Sequence, residues 1–232
     1  LGRMEEAETC LQELTKRFPD NRNVRFDRAR FYDMAGDPDK ALKVLNEDFP
    51  DPESYPQVPM LKLGLLLQQQ KLDDALAFVS RSPSLQKDPQ ALTLMYSAYY
   101  GRGDYPAALE ACEKLRALGP GSTQYYAVWY FEPLARKKMG QAEQAEKAFR
   151  KAADDLKALC LEHPTQVDFY LYRALCEYQL GDLKEAKKLI DYLLAVKNDE
   201  AVLHLAAFEI YSAAGDAETA EQHRRTAAEL NP

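Results

Sequence analysis

The stretch "FYLYRALCEYQLGDLKEAKKLIDYLLAV", residues 169–196, decides the fold. After its glycine, Leu183, Ala186, Ile190, Leu193 and Leu194 fall on one stripe at three- and four-residue steps, the period of an amphipathic helix. Gly181 suits the left-handed conformation that ends a helix, and Asp182 suits the capping of the amides that open the next one. Ala186 follows Gly181 by five residues, at a place where a small side chain lets the first helix approach the second. A bulky residue there would overpack the crossing, at a cost of about 1–3 kcal/mol. The stretch predicts two helices folded back on each other.

The pattern recurs along the chain. "LGRMEEAETCL" (1–11), "AGDPDKALKVL" (35–45), "QQKLDDALAFV" (69–79), "RGDYPAALEAC" (102–112), "MGQAEQAEKAF" (139–149) and "AGDAETAEQHR" (214–224) align with "LGDLKEAKKLI" (180–190). Their alanines are Ala7, Ala41, Ala75, Ala108, Ala145, Ala186 and Ala220, separated by 34, 34, 33, 37, 41 and 34 residues. Five residues before them stand Gly2, Gly36, Gln70, Gly103, Gly140, Gly181 and Gly215, so Gln70 alone breaks the rule. An aspartate follows the glycine in four units: Asp37, Asp104, Asp182 and Asp216. Pro19, Pro50, Pro83, Pro120, Pro164, Asn198 and Pro232 close the units. A proline cannot continue a helix and so sets the spacing to the next unit.

"NVRFDRARFYDMAG" (23–36) turns Val24, Phe26, Ala29 and Met34 toward neighbours, and no segment alternates with the two-residue period of a half-buried strand. The expected fold is all-α: a solenoid of stacked antiparallel helix pairs of about 34 residues. Residues 1–20 form an orphan second helix, and pairs follow at about 21–54, 55–87, 88–121, 122–164, 165–198 and 199–232, all in a single domain over 1–232. A two-helix unit cannot bury its own faces, so stability is roughly a sum over units and interfaces. Each leucine-sized side chain buried between units contributes about 1.5–3 kcal/mol.

Composition excludes several classes. The net charge of -7 argues against a nucleic-acid binder, which shows a basic stripe. "MLKLGLLL" is the longest apolar run, is broken by Lys62, and falls far short of the roughly 18–20 residues that span a bilayer. Cys10, Cys112, Cys160 and Cys176 form no C-x-x-C pair and read as small apolar core residues, which favours a reducing, cytoplasmic compartment.

The repeat resembles the tetratricopeptide repeat family. In "AVWYFEPLARKKMGQAEQAEKAFRKA" the likeness lies in Trp129, Gly140, Ala145, Phe149 and Ala152, and in "FYLYRALCEYQLGDLKEA" in Tyr170, Ala174, Gly181 and Ala186. It covers essentially the whole chain: six copies in register, preceded by half of another. The resemblance implies a right-handed superhelix whose first helices line a concave face where ligand peptides lie. Departures are Gln70 for glycine, Gly64 one position late, Pro133 where a small residue belongs, and 41 residues between Ala145 and Ala186. Pro133 lies inside a helix starting near Ser122 and is expected to kink it. The surplus residues, about two turns, are expected to lengthen the second helix past Cys160.

Catalytic signals are missing. None of HExxH, GxSxG and GxxxxGK[ST] occurs, Asp154 and Asp155 are adjacent and so do not share a helical face, and no enzyme activity, cofactor or metal site is expected. His163 reads as a loop residue, His204 occupies an aromatic-type position, and His223 lies in the charged last helix. The expected partner is a protein or peptide, with no nucleic acid and no membrane insertion. Counting back from each turn, the groove-facing candidates are Asp27, Arg30, Asp33, Tyr100, Tyr126, Tyr130, Lys137, Tyr178 and Glu209, together with Thr93, Ser97 and Ser212. Tyrosine and arginine are frequent interface anchors. Tyr126 and Tyr130 suit groove or core alike, and Trp129 reads as core. The lysine–asparagine set with which co-chaperones of the family clamp a chaperone's C-terminal carboxylate is not found on these faces.

Two functional readings stand: a scaffold holding a partner segment in the groove, and a structural spacer or oligomerisation arm in a larger envelope or secretion assembly. The first residues open in mid-repeat, so a longer parent chain is expected, with self-association through the helix face around Ala7 and Leu11. "DAETAEQHRRTAAEL" reads as a polar cap on the stack.

Overall fold

A computed structural model describes residues 2–121 and 123–230, and their side chains from residue 6 onward except at 123. Leu1, the expected helix start at Ser122 and the expected closing Pro232 lie outside the described residues. The described residues form thirteen α-helices with two short 3-10 turns and no strand. They divide into two compact units, 1–95 and 96–232, and the division falls inside one helix.

The first unit contains α1 (Gly2–Arg17), α2 (Arg22–Met34), α3 (Pro38–Asp48), α4 (Val58–Gln68), α5 (Leu72–Arg81) and the start of α6 (Pro89–Arg102). The second holds the rest of α6, then α7 (Tyr105–Ala117), α8 (Thr123–Lys138), α9 (Ala142–Glu162), α10 (Val167–Leu180), α11 (Leu183–Val196), α12 (Ala201–Ala213) and α13 (Ala217–Leu230). From α2 to α13 the helices meet two by two at the turn residues that the repeat marks.

Those joints share one hydrogen-bond pattern. The Gly181 amide donates to Tyr178 O at 3.1 Å, and the Asp182 amide reaches back to Glu177 O at 3.0 Å. This is the double closure of a helix C-terminus, and it needs a positive φ at the turn residue. Gly181 has φ 84°, and Gln70, at 56°, is the one residue other than glycine with positive φ among the described residues. Its amide and that of Lys71 make the same bonds, to Leu67 O and Leu66 O, both 2.9 Å. The carboxylates of Asp37, Asp104, Asp182 and Asp216 then accept the amides of Lys40, Ala107, Glu185 and Thr219 at 3.0–3.2 Å. Lys71 and Gln141 stand in the capping place of the other two pairs and make no side-chain cap.

The crossing alanines Ala41, Ala75, Ala108, Ala145, Ala186 and Ala220 are at most 2% exposed. In the first unit Phe26, Phe49 and Tyr55 pack ring to ring, with centroids 5.2–6.4 Å apart. In the second, Tyr96 stacks on Phe131 at 4.3 Å and donates its hydroxyl to Phe131 O at 2.8 Å. The α9 helix runs for 21 residues to Glu162, past Cys160, as the wide spacing predicts. The α8 helix continues through Pro133 as one element, although proline removes the bond to Trp129 O.

Two expectations about burial fail. Met34 is 79% exposed and meets no neighbour's core, because it is the last residue of α2, beyond the final inward turn. Cys10 is exposed, whereas Cys112, Cys160 and Cys176 are buried free thiols. Burial pushes Cys160 up to about 11 and Cys112 to about 12.

Candidate functional site

The turn residue sets which positions of each first helix face outward. Residues six and three before it are Arg30 and Asp33 on α2, Gly64 and Leu67 on α4, Ser97 and Tyr100 on α6, Leu134 and Lys137 on α8, Leu175 and Tyr178 on α10, and Glu209 and Ser212 on α12. Of these, Arg30, Gly64, Ser97, Lys137, Glu209 and Ser212 are exposed, whereas Leu134, Leu175 and Tyr178 also pack against the cores.

In the first unit that face is a groove of about 720 Å³ between α2 and α4. Arg30 and Asp33 stand on one wall, Met60 and Gln68 on the other, with buried Phe26 at the base. Gly64 lines the groove with open space beside it, since a Cβ on it would meet nothing within 4 Å. Asp27 is exposed on α2 and does not line the groove.

In the second unit the face is polar and aromatic. Tyr100 is half-buried, stacked on Tyr96 at 5.7 Å and edge-on to Tyr105 at 5.4 Å. Lys137 donates to Gln179 Oε1 at 3.0 Å, and Gln179 also hydrogen-bonds the Tyr130 hydroxyl. Tyr130 is 7% exposed, its ring 6.0 Å from Phe149, so it forms the floor of the face and not its surface. The charge of Glu209 reaches Tyr100, Tyr130 and Tyr178 and raises each phenol after the larger effect of burial. The Glu209 side chain is open to solvent, yet desolvation lifts its carboxyl pKa. Both hold at once where water enters and protein crowds from the sides. Tyr100, Tyr130 and Tyr178 thus feel the charge of Glu209, and Lys137 stands at the same register position as Tyr100 and Tyr178.

Tyr126 is outside that row. Its half-buried ring packs edge-on against Phe169 at 4.8 Å and Trp129 at 5.3 Å. Trp129 is half-buried and lines a 230 Å³ cavity with Pro133, Glu132 and Lys151. Thr93 donates to Pro89 O within its own helix.

One arrangement escapes the sequence reading. His204 on α12 is buried and meets His223 of α13, Nδ1 to Nδ1, at 3.0 Å. His204 Nε2 lies 3.0 Å from Asn198 O, so that nitrogen carries the proton, and His223 donates to the bare Nδ1 of His204. Two inward histidines on the paired helices of one unit were the available signal, hidden by the charged company of His223. Among the described residues no helix is long and apolar enough to cross a membrane.

Two family models described as "Tetratricopeptide repeat" match residues 1–62 and 134–201. No curated protein matches. Among solved structures, a tetratricopeptide repeat protein from Parabacteroides merdae aligns over 100% of this chain and 88% of its own, at 16% identity and TM-score 0.68. A thermophilic TPR protein of Thermus thermophilus aligns over 77% of this chain and 92% of its own, at 23% identity and TM-score 0.59. The APC/C hetero-tetramer Cut9–Hcn1 contains a chain that matches 100% of this one over 44% of its length, at 13% identity and TM-score 0.61. At such identities these structures speak for the fold alone. With the family models in both units and the repeated turns, they make the chain a member of the tetratricopeptide repeat family.

Proposed function

We propose that this protein is a non-catalytic scaffold that holds a segment of a protein partner along the outward faces of its first helices. Protein–protein interaction is the general role of the fold. The observation that carries the finer reading is the groove between α2 and α4, which Gly64 lines without a side chain. Among the described residues no ion pair engages Arg30 or Asp33 on its wall. A helical glycine with room for a Cβ costs about 0.5–1 kcal/mol relative to alanine, a cost with no structural return except the open space. The test fills that space. Gly64→Leu is expected to keep or raise stability, because leucine favours a helix and its Cβ would meet nothing within 4 Å. The variant is expected to lose peptides selected from a random display library on the wild-type chain. Undiminished binding by the variant would contradict a role for the groove.

A further inference from the structure

Pro133 leaves a gap in the backbone bonding of α8. It has no amide proton, so Trp129 O, four residues earlier, lacks the donor that a helix interior supplies. Residues four apart lie one above the other on a helix, so the gap sits on the face that carries Trp129 and Pro133. Both residues line the 230 Å³ cavity, which Leu134 and Lys137 of the outward row do not.

The α8 helix shares that lining with two second helices, α7 and α9. The base is apolar: Val128, Pro133 and Ala152 are buried, and Trp129 and Ala148 are half-buried. Arg116 and Lys151 are exposed, so the mouth opens to solvent. Each charge in the lining already has its opposite. Glu132 is held by Arg116 and, at 2.8 Å, by Arg136, and Lys151 pairs with Asp155. A charged guest would have to compete with these pairs, whereas a neutral one leaves them intact. The volume is below the roughly 300–1,000 Å³ of pockets that enclose drug-sized ligands, and it suits a single side chain. A carbonyl without its donor, set among apolar walls, calls for a guest with an apolar body and a donor at its tip. Tyrosine and tryptophan have that form and are frequent anchors at protein interfaces. Trp129 adds a ring against which theirs can pack.

We infer that the cavity between α7, α8 and α9 is a docking site for a tyrosine or tryptophan side chain of a partner protein, whose hydroxyl or indole N–H donates to Trp129 O. The site shares no residue with the groove between α2 and α4 and does not rest on that groove's role.

The full chain has a single tryptophan, so in isotope-labelled protein the Trp129 indole N–H gives one side-chain resonance, and it reports on the cavity. Titration with N-acetyl-tyrosinamide should move it saturably. N-acetyl-phenylalaninamide, which differs only in lacking the hydroxyl, should bind about threefold more weakly. Pro133→Ala restores the missing amide donor and favours the helix, so that variant should bind the two probes equally. Ala148→Leu places a larger side chain in the lining and should lose both probes, whereas Gly64→Leu should bind them as wild type does. No saturable shift in wild type, retention of both probes by Ala148→Leu, or a tyrosine preference that survives Pro133→Ala overturns the inference. A resonance that moves on dilution of the protein alone assigns the cavity to a second copy of the chain and overturns it likewise.

Discussion

Gln70 marks the one repeat whose turn is made by a side chain that resists the conformation. Its φ of 56° costs about 1–2 kcal/mol for a residue with a Cβ, and a glycine would be free of that cost. Around the turn glycines a Cβ would meet nothing within 4 Å, so glycine recurs there for its backbone freedom and not for lack of room. Gln70→Gly should therefore stabilise the protein by about 1 kcal/mol, and Gly140→Ala should destabilise it by about the same amount, part of each effect arising in the unfolded chain. Urea unfolding midpoints at constant slope measure both. Equal midpoints for Gln70→Gly and wild type would show that the turn is not strained.

The helix pair is the element on which stability turns, and Ala186 shows how. It is wholly buried in a cluster with Leu171, Ala174, Ile190 and Leu203. Ala186→Leu should lower stability by about 1–3 kcal/mol through overpacking, read as a lower unfolding midpoint. A neutral result would mean that the crossing has slack. The last pair carries a second, pH-dependent contact. The pKa of His223 is held below its ordinary 6.5 by burial and then by His204, with Asp191 opposing both, while Tyr211 packs against the ring and gives its own hydroxyl to Asp191. A histidine that binds protons less well folded than unfolded stabilises fully above pH 6.5, and that stability is lost as pH falls from there toward the folded value. The unfolding midpoint should drop between about pH 7.5 and pH 5.5, with a smaller drop in His223→Gln. An unchanged drop in the variant would assign the pH effect elsewhere. The turns, crossing alanines and long α9 were legible in the sequence because each follows from spacing. The His204–His223 pair was not, because tertiary approach decides which polar residue of a charged helix faces inward. The exposure of Met34 and Cys10 was missed for a related reason: periodicity assigns a stripe but does not say where the neighbouring helix ends.

At the scale of the molecule, each unit presents an outward face built by its first helices, and much of that face follows from counting back from the turns. Arg30, Asp33, Tyr100, Lys137, Tyr178 and Glu209 stand at register positions that any six-fold repetition of the turn fixes. Tyr130 sits one turn further in and becomes the floor, since its ring is drawn against Phe149 of the longer α9. The division into two units was not legible, because the repeat runs through it without a break at Met95 and Tyr96. The most direct test of the central claim is binding by a folded chain whose groove has been filled. With peptides selected on wild type, Gly64→Leu of equal or greater thermal stability should lose at least about tenfold in affinity. Retention of full affinity by that variant would contradict the claim that the open groove between α2 and α4 holds a partner segment.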